Sequence, residues 1–158
     1  MRKLIFGVLL AMGVIQPAAA QTASGQFDVN ITLTAACTLS AIADVDFTYT
    51  SFQGGVSNAA NGGFTVSCTN NLPYTFGLQS GTGAATPPGA ATIGPINDDA
   101  VNLSYSLALS AAGGSGNGAA QAYSITGTMA GNQAGTCAVS PCTNGAATNN
   151  RHTLIVNY

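Results

Sequence analysis

The residues that could perform chemistry are few and lie far apart in the chain. His152 is the only histidine. Asp44 and Asp46 are two positions apart, as a pair of catalytic carboxylates could be. Acid–base catalysis needs such groups to face each other across a cleft, with one of them acting as a base. Because no second carboxylate cluster frames this pair, the pattern favours a polar strand edge over an active site.

Neither a metal site nor a phosphate-binding loop is predicted. Asp98 and Asp99 lack the spaced oxygen ligands of a calcium-binding loop. The glycine-rich residues 113–118 contain no lysine and precede no helical pattern, as a phosphate loop would require. The cysteines lack the paired C-x-x-C spacing of zinc knuckles: Cys37, Cys68, Cys137 and Cys142. The sequence therefore predicts a protein without enzymatic activity, metal or cofactor.

Residues 1–20 have the pattern of a secretory signal peptide. Arg2 and Lys3 form the charged start, residues 4–15 form the apolar run, and small residues at 18–20 provide a cleavage site. The apolar run is short for a membrane span, and no later segment offers another. We therefore expect cleavage before Gln21, export from the cytoplasm, and no membrane span in the mature protein.

The charge that remains after cleavage excludes one class of partner. Arg151 would be the only cation against five aspartates, a net charge of −4. A nucleic-acid partner requires a basic patch to neutralise phosphates, and none exists. Solubility must come from Thr, Ser, Asn and Gln, which suits an extracellular protein that packs against copies of itself.

The cysteines predict disulfide bonds. All of them lie in the expected mature chain, and an even number behind a signal peptide is typical of an oxidising compartment. Cys37 and Cys68 each lie beside strand-like sequence, so a bond between them would close a large loop. Cys137 and Cys142 are close enough to pair locally around Pro141.

Period-two alternation of apolar and polar residues is the main structural signal. It is clearest in residues 25–33, where the apolar positions are Phe27, Val29, Ile31 and Leu33. Residues 53–63 and 81–95 are rich in turn formers and are predicted as loops. Short strands between such loops, with no helical period, predict an all-β sandwich. Further alternating or apolar segments are residues 45–52, 64–68, 73–78, 101–109, 122–129 and 152–158.

Six pieces of sequence follow one another in a specific order: Cys37 after an alternating strand, DFTY at 46–49, FTVSCTNNLPYTFGL at 64–78, NLSYSL at 102–107, AYSITGTM at 122–129 and the final apolar strand. This order resembles the spore coat protein U-like family, which includes pilin subunits of archaic (Csu-type) chaperone–usher pili. The resemblance covers about residues 25–158. Thr48 follows the Asp-Phe pair where many members have glycine, and the Cys137–Cys142 pair is not general in the family.

The resemblance implies an immunoglobulin-like antiparallel β-sandwich that lacks its last strand and is completed by a donor strand. Residues 21–35 would be the N-terminal donor-strand segment, and residues 36–158 the pilin domain. A periplasmic chaperone would first fill the gap, and at an outer-membrane usher the N-terminal segment of the next subunit would replace it. The residues that match the family's donor positions are Phe27, Val29, Ile31 and Leu33.

Two functions follow from these expectations. In the first, the chain is a secreted structural pilin subunit that polymerises head-to-tail with neighbouring subunits into a surface pilus for adhesion and biofilm formation. In the second, residues 25–33 are an ordinary first strand of the chain's own sheet. The protein is then a self-contained β-sandwich module that binds a glycan or a protein at the cell surface.

Overall fold

Antiparallel strands build the fold, and the described residues contain no helix. The computed structural model describes residues 21–81 and 90–158, apart from the side chains of residues 60 and 61. The predicted signal peptide, residues 1–20, lies outside the described residues. The strands are β1 (Cys37–Leu39), β2 (Ser57–Cys68), β3 (Pro73–Ser80), β4 (Thr92–Asn97), β5 (Ser104–Leu109), β6 (Gly113–Ser115), β7 (Ala120–Met129) and β8 (His152–Asn157).

The strands form two sheets. The larger has five strands in the order β1-β2-β7-β5-β4, and the smaller has three in the order β6-β3-β8. Every strand pair in the described chain is antiparallel. The predicted all-β sandwich is thereby confirmed.

The chain divides into two units, Met1–Thr32 and Leu33–Tyr158. In the first unit, the described residues 21–32 have no regular secondary structure, and all of them are exposed. The second unit contains all of the described strands.

Aromatic rings join the two sheets at the centre of the core. The ring of Phe76 on β3 lies 5.5 Å from that of Phe64 on β2 and 4.7 Å from that of Tyr123 on β7. Both contacts are edge-to-face, the arrangement that aromatic quadrupoles favour. Phe76 and its alternating neighbours Tyr74 and Leu78 are all buried, as the period-two pattern of this strand predicts.

The buried hydroxyl of Tyr74 is hydrogen-bonded inside this cluster. The Tyr74 hydroxyl donates to Gln121 Oε1 at 3.0 Å and lies 2.6 Å from the Tyr123 hydroxyl. Burial, followed by the hydrogen bond to Tyr123, raises the pKa of Tyr74 to about 12. The phenol therefore stays neutral at physiological pH, and its buried oxygen carries no desolvation penalty for charge.

A disulfide joins the first two strands of the larger sheet. Cys37 on β1 and Cys68 on β2 are directly opposite each other, with their Cα atoms 4.1 Å apart. Next to the bond, Thr69 Oγ1 accepts a hydrogen bond from the Ala36 backbone N–H at 3.0 Å. β1 has only three residues, so the covalent bond supplies an attachment that so short a strand lacks.

Predicting residues 53–63 as a loop was wrong over their second half, because β2 begins at Ser57. The strand passes this point with a bulge between Ala59 and Gly62. A Cβ at Gly62 would lie 2.7 Å from Val45 Cγ2 and 2.9 Å from Ile125 Cβ. Glycine is required here for close packing inside a strand, although the same residue type also signals a turn.

The loop predicted at residues 81–95 also overlaps a strand, and its residues 82–89 lie outside the described part. β4 occupies Thr92–Asn97 at the edge of the larger sheet. Its pairing with β5 shifts between Ile93 and Ile96, where Gly94 and Pro95 stand. Proline cannot donate a ladder hydrogen bond, and an edge strand with a bulge is where a sheet tolerates it.

Candidate functional site

A groove of about 1090 Å³ runs along one side of the strand-bearing unit. One wall is the segment of residues 42–51, and another is residues 150–154, which include the start of β8. Its floor consists of apolar and aromatic side chains from three strands: Leu78, Tyr105, Leu107, Ile125 and Met129. Most of this floor is core, so the groove gives direct access to the interior of the sandwich.

One edge of β8 is open beside this groove. β8 pairs with β3 on one side over six positions, from Ser80–His152 to Thr75–Asn157. In residues 21–81 and 90–158, no strand pairs with its other side. An edge strand of this kind presents a row of backbone N–H and C=O groups that can pair with another chain.

The wall formed by residues 42–51 is an extended segment that is attached to β2 at isolated points. The Ala43 N–H donates to Gly63 O at 3.0 Å, and the Ser57 hydroxyl donates to Thr48 O at 2.9 Å. Sequence analysis predicted a strand over residues 45–52, and the apolar positions do alternate in burial. No regular ladder forms there, however, so this prediction was wrong.

Gln133 fixes the end of this wall. Its N–H donates to the Tyr49 hydroxyl at 2.9 Å, and its carbonyl accepts from the Phe52 N–H at 2.8 Å. Its side-chain amide accepts from the Ser104 N–H at 2.6 Å and donates to Ser104 O at 2.9 Å. Gln133 therefore connects the wall, through its backbone, to the start of β5, through its side chain.

A disulfide-closed loop lines one end of the groove. Thr136, Cys137 and residues 140–144 line it there, and the Cys137–Cys142 bond closes the tip of the loop. The Thr136 N–H donates to Val101 O at 2.7 Å. The Asn144 side-chain amide donates to a carboxylate oxygen of the buried Asp98 at 2.9 Å. These bonds hold the loop against the turn between β4 and β5.

His152 and Tyr105 form a polar pair inside the groove. His152 Nε2 lies 2.7 Å from the Tyr105 hydroxyl. Its Nδ1 is buried and has no hydrogen-bond partner among the described residues. Burial lowers the pKa of His152 below its ordinary value of 6.5. Burial and then the charge of Asp98 raise the pKa of Tyr105. Both side chains are therefore neutral near pH 7.

This pair predicts that the protein loses stability in mild acid. Because the pKa of His152 is lower in the folded state, the unfolded chain binds more protons between the two pKa values. The contribution is complete above about pH 6.5 and is lost as the pH falls towards the folded-state pKa. We expect a lower melting temperature at pH 5.5 than at pH 7.5, measured by circular dichroism.

His152→Gln is the matched control, because it keeps a hydrogen-bonding side chain and cannot become charged. His152 is the only histidine, and all cysteines are in disulfides. The variant should therefore have a nearly flat melting temperature over this range. An unchanged pH dependence in His152→Gln would assign it to another group.

The model of the Spore Coat Protein U domain matches residues 23–153. The chain belongs to the Spore Coat Protein U family. The resemblance of its sequence to this family is confirmed. Spore Coat Protein U domains are associated with subunits of chaperone–usher pili.

The other comparisons add no relative to the Spore Coat Protein U assignment. No curated protein and no solved structure matches the chain. Within the described residues, no helix has the length and apolar character needed to cross a membrane. The same residues contain no group of three His, Cys, Asp or Glu side chains that could hold a metal ion.

The predicted site residues of this Spore Coat Protein U domain fall into two sets. Both predicted disulfides, Cys37–Cys68 and Cys137–Cys142, are present. The predicted donor residues are exposed to solvent in this single chain: Phe27 is 85%, Val29 72%, Ile31 85% and Leu33 78% exposed. Their role as donors stays a prediction. Asp44 and Asp46 are exposed residues on the wall of the groove.

Sequence reasoning missed three parts of the groove in this Spore Coat Protein U domain: Gln133, the pairing of Tyr105 with His152, and the loop at its end. Tyr105 and His152 each lie in an alternating segment, at positions in phase with apolar residues. A polar ring in phase with the core is a usable signal for a buried hydrogen-bonded pair. Gln133 and the loop lie in a segment without periodicity, which gave no such signal.

Proposed function

We propose that this protein is a secreted structural pilin subunit that polymerises head-to-tail by donor-strand exchange. The observation that carries the proposal is the groove beside the open edge of β8. A strand added there would pair with the exposed backbone of β8 and cover the apolar floor. This is β-strand addition, in which main-chain hydrogen bonds give affinity and alternate side chains give register.

Residues 25–33 have the properties that such a groove requires of its occupant. They are exposed in the single chain, and their apolar side chains occur at every second position. On a strand, those side chains all point to one face. Burial of Phe27, Val29, Ile31 and Leu33 at about 1.5–3 kcal/mol each would contribute roughly 6–12 kcal/mol, before the cost of ordering the segment.

The donor residues of one copy and the groove of the next are different surfaces, so the contact is heterologous. A heterologous contact that does not close into a ring generates a fibre. An unfilled groove exposes backbone groups and apolar surface and favours aggregation. A periplasmic chaperone would fill the groove and protect the subunit after export. At an outer-membrane usher, the N-terminal segment of the next subunit would replace the chaperone, and the subunit would join the surface pilus. Adhesion and biofilm formation are the roles we assign to the fibre.

The proposal is tested by removing the donor segment and returning it as a separate molecule. The chain is exported with and without residues 21–34, and a synthetic peptide of residues 25–34 is added to the shortened form. We expect the full chain to form ladders of oligomers. The shortened chain should be unstable alone and should gain thermal stability with the peptide, but not with a peptide carrying Ile31→Asp.

A stable monomeric full chain, together with a shortened chain that the peptide leaves unchanged, would overturn the proposal. In that case residues 25–33 do not act as a donor strand. The self-contained binding module then becomes the better hypothesis, and glycan and protein ligands would be the next to test.

A further inference from the structure

The Cys137–Cys142 loop lies where an inserted strand would contact it. Residues 140–144 of this loop line the same groove as His152 and Leu154 of β8. Val139, between the two cysteines, is 78% exposed and does not line the groove. The loop thus has one side towards the groove and another towards solvent.

The loop is held in place at its base and closed at its tip. Below the tip, the Asn149 amide donates to Asn97 O at 2.7 Å, and the Thr148 N–H donates to a carboxylate oxygen of Asp99 at 2.9 Å. The disulfide restricts the tip itself. A loop that is held at its base and closed at its tip can present a shaped surface to a ligand, because it loses little conformational entropy on binding.

The direction of an added strand determines which of its residues reach this loop. Every strand pair of the described chain is antiparallel, and we take the added strand to be antiparallel to β8 as well. The C-terminal end of the added segment then lies beside His152, the first residue of β8. Of the donor residues, Leu33 is the nearest to that end and Phe27 the farthest.

We propose that the Cys137–Cys142 loop is a specificity element of the groove, which contacts Leu33 of a second copy of this chain and thereby fixes the register of the inserted segment. A shift of the segment by one residue would turn its apolar face outwards. A shift by two residues would keep the apolar face inwards. Only a contact at an end of the groove, such as the one with this loop, would then oppose the shift. This inference rests on the proposed function.

The test uses the full chain as acceptor, with Val29→Asp and Ile31→Asp to disable its own donor segment. Labelled peptides of residues 25–34 are titrated into it, and dissociation constants are measured by fluorescence anisotropy. The peptides carry the natural sequence, Leu33→Ala or Phe27→Ala. Acceptors are compared with the loop disulfide intact and with both of its cysteines changed to serine.

We expect loss of the disulfide to weaken the natural peptide by about threefold or more. Loss of the disulfide should weaken binding of the Phe27→Ala peptide by the same factor, because Phe27 lies at the end of the segment far from the loop. Loss of the disulfide should weaken binding of the Leu33→Ala peptide clearly less, since this peptide already lacks the side chain that contacts the loop. A second acceptor, Thr143→Ala, alters the lining with the disulfide in place and should repeat this pattern. Val139→Ser should change no affinity.

The loop is coupled to a peptide residue if replacing that residue by alanine reduces the effect of losing the disulfide. Equal coupling to Leu33 and to Phe27, or coupling to neither, would overturn the inference and leave the proposed function standing. Coupling to Phe27 alone would also overturn it, because the segment would then lie in the opposite direction. If no peptide binds any acceptor, the proposed function fails and the inference fails with it. These outcomes therefore distinguish a failure of the inference about the loop from a failure of the proposed function.

Discussion

Replacement of Ile31 by aspartate is expected to abolish polymerisation of the exported chain. In the proposed fibre, Ile31 is one of the inner donor side chains and becomes buried in the groove of the next copy. The change removes about 1.5–3 kcal/mol of apolar burial and places a carboxylate in an apolar site, which adds a further penalty. The association constant should fall by more than about 100-fold, as measured by size-exclusion chromatography and by the loss of ladders on gels.

Asn30→Asp is the matched control, because it adds the same charge at the neighbouring position on the polar face of the segment. It should leave oligomer ladders nearly unchanged. The single Ile31→Asp chain should also keep its groove and gain stability when a natural peptide of residues 25–34 is added. Equal effects of the two substitutions would mean that charge alone, and not burial of alternate residues, governs assembly.

Removal of the Cys37–Cys68 disulfide is expected to prevent the protein from accumulating. The bond closes a separation of 31 residues, and the loop-entropy relation gives a loss of roughly 3–4 kcal/mol on its removal. The effect should be large for this protein, because typical domains are stable by only about 5–15 kcal/mol. Cys37→Ser with Cys68→Ser should lower the periplasmic yield severely, and chemical denaturation should give the loss in free energy of unfolding.

The second disulfide provides an internal comparison. Cys137 and Cys142 are separated by only 5 residues, and the same relation gives roughly 2 kcal/mol for so short a loop. The double serine variant of this pair should therefore be exported and folded. If this variant were the less stable of the two, chain entropy would not be the main contribution of these bonds.

Period-two patterns predicted the parts of the fold in which one face is buried and the other polar. The faces of β3, β5 and β7 follow directly from their alternation, and their inward residues are the aromatic core and the floor of the groove. The pattern fails where packing requires a residue that also signals a turn. Gly62 is such a residue, because Val45 and Ile125 leave no room for a side chain.

The groove itself could not be predicted from the residues on their own. It exists because an extended segment and β8 both border core residues that no strand within residues 21–81 and 90–158 covers. Alternation shows which side chains need cover, but it does not show whether the same chain supplies that cover. For Leu107 and Met129, both buried in the floor, the sequence pattern is the same whether the sandwich is complete or open.

The pairing of β8 with β3 also has a mechanical consequence. The two strands are bonded over six positions along their whole shared length. In a fibre built as proposed, tension enters the subunit through a strand that lies alongside β8. A pull along that direction shears the ladder, so its hydrogen bonds share the load and do not open one after another. Such a joint resists force better than one whose bonds open one at a time, which suits the load that a subunit of the proposed fibre would carry.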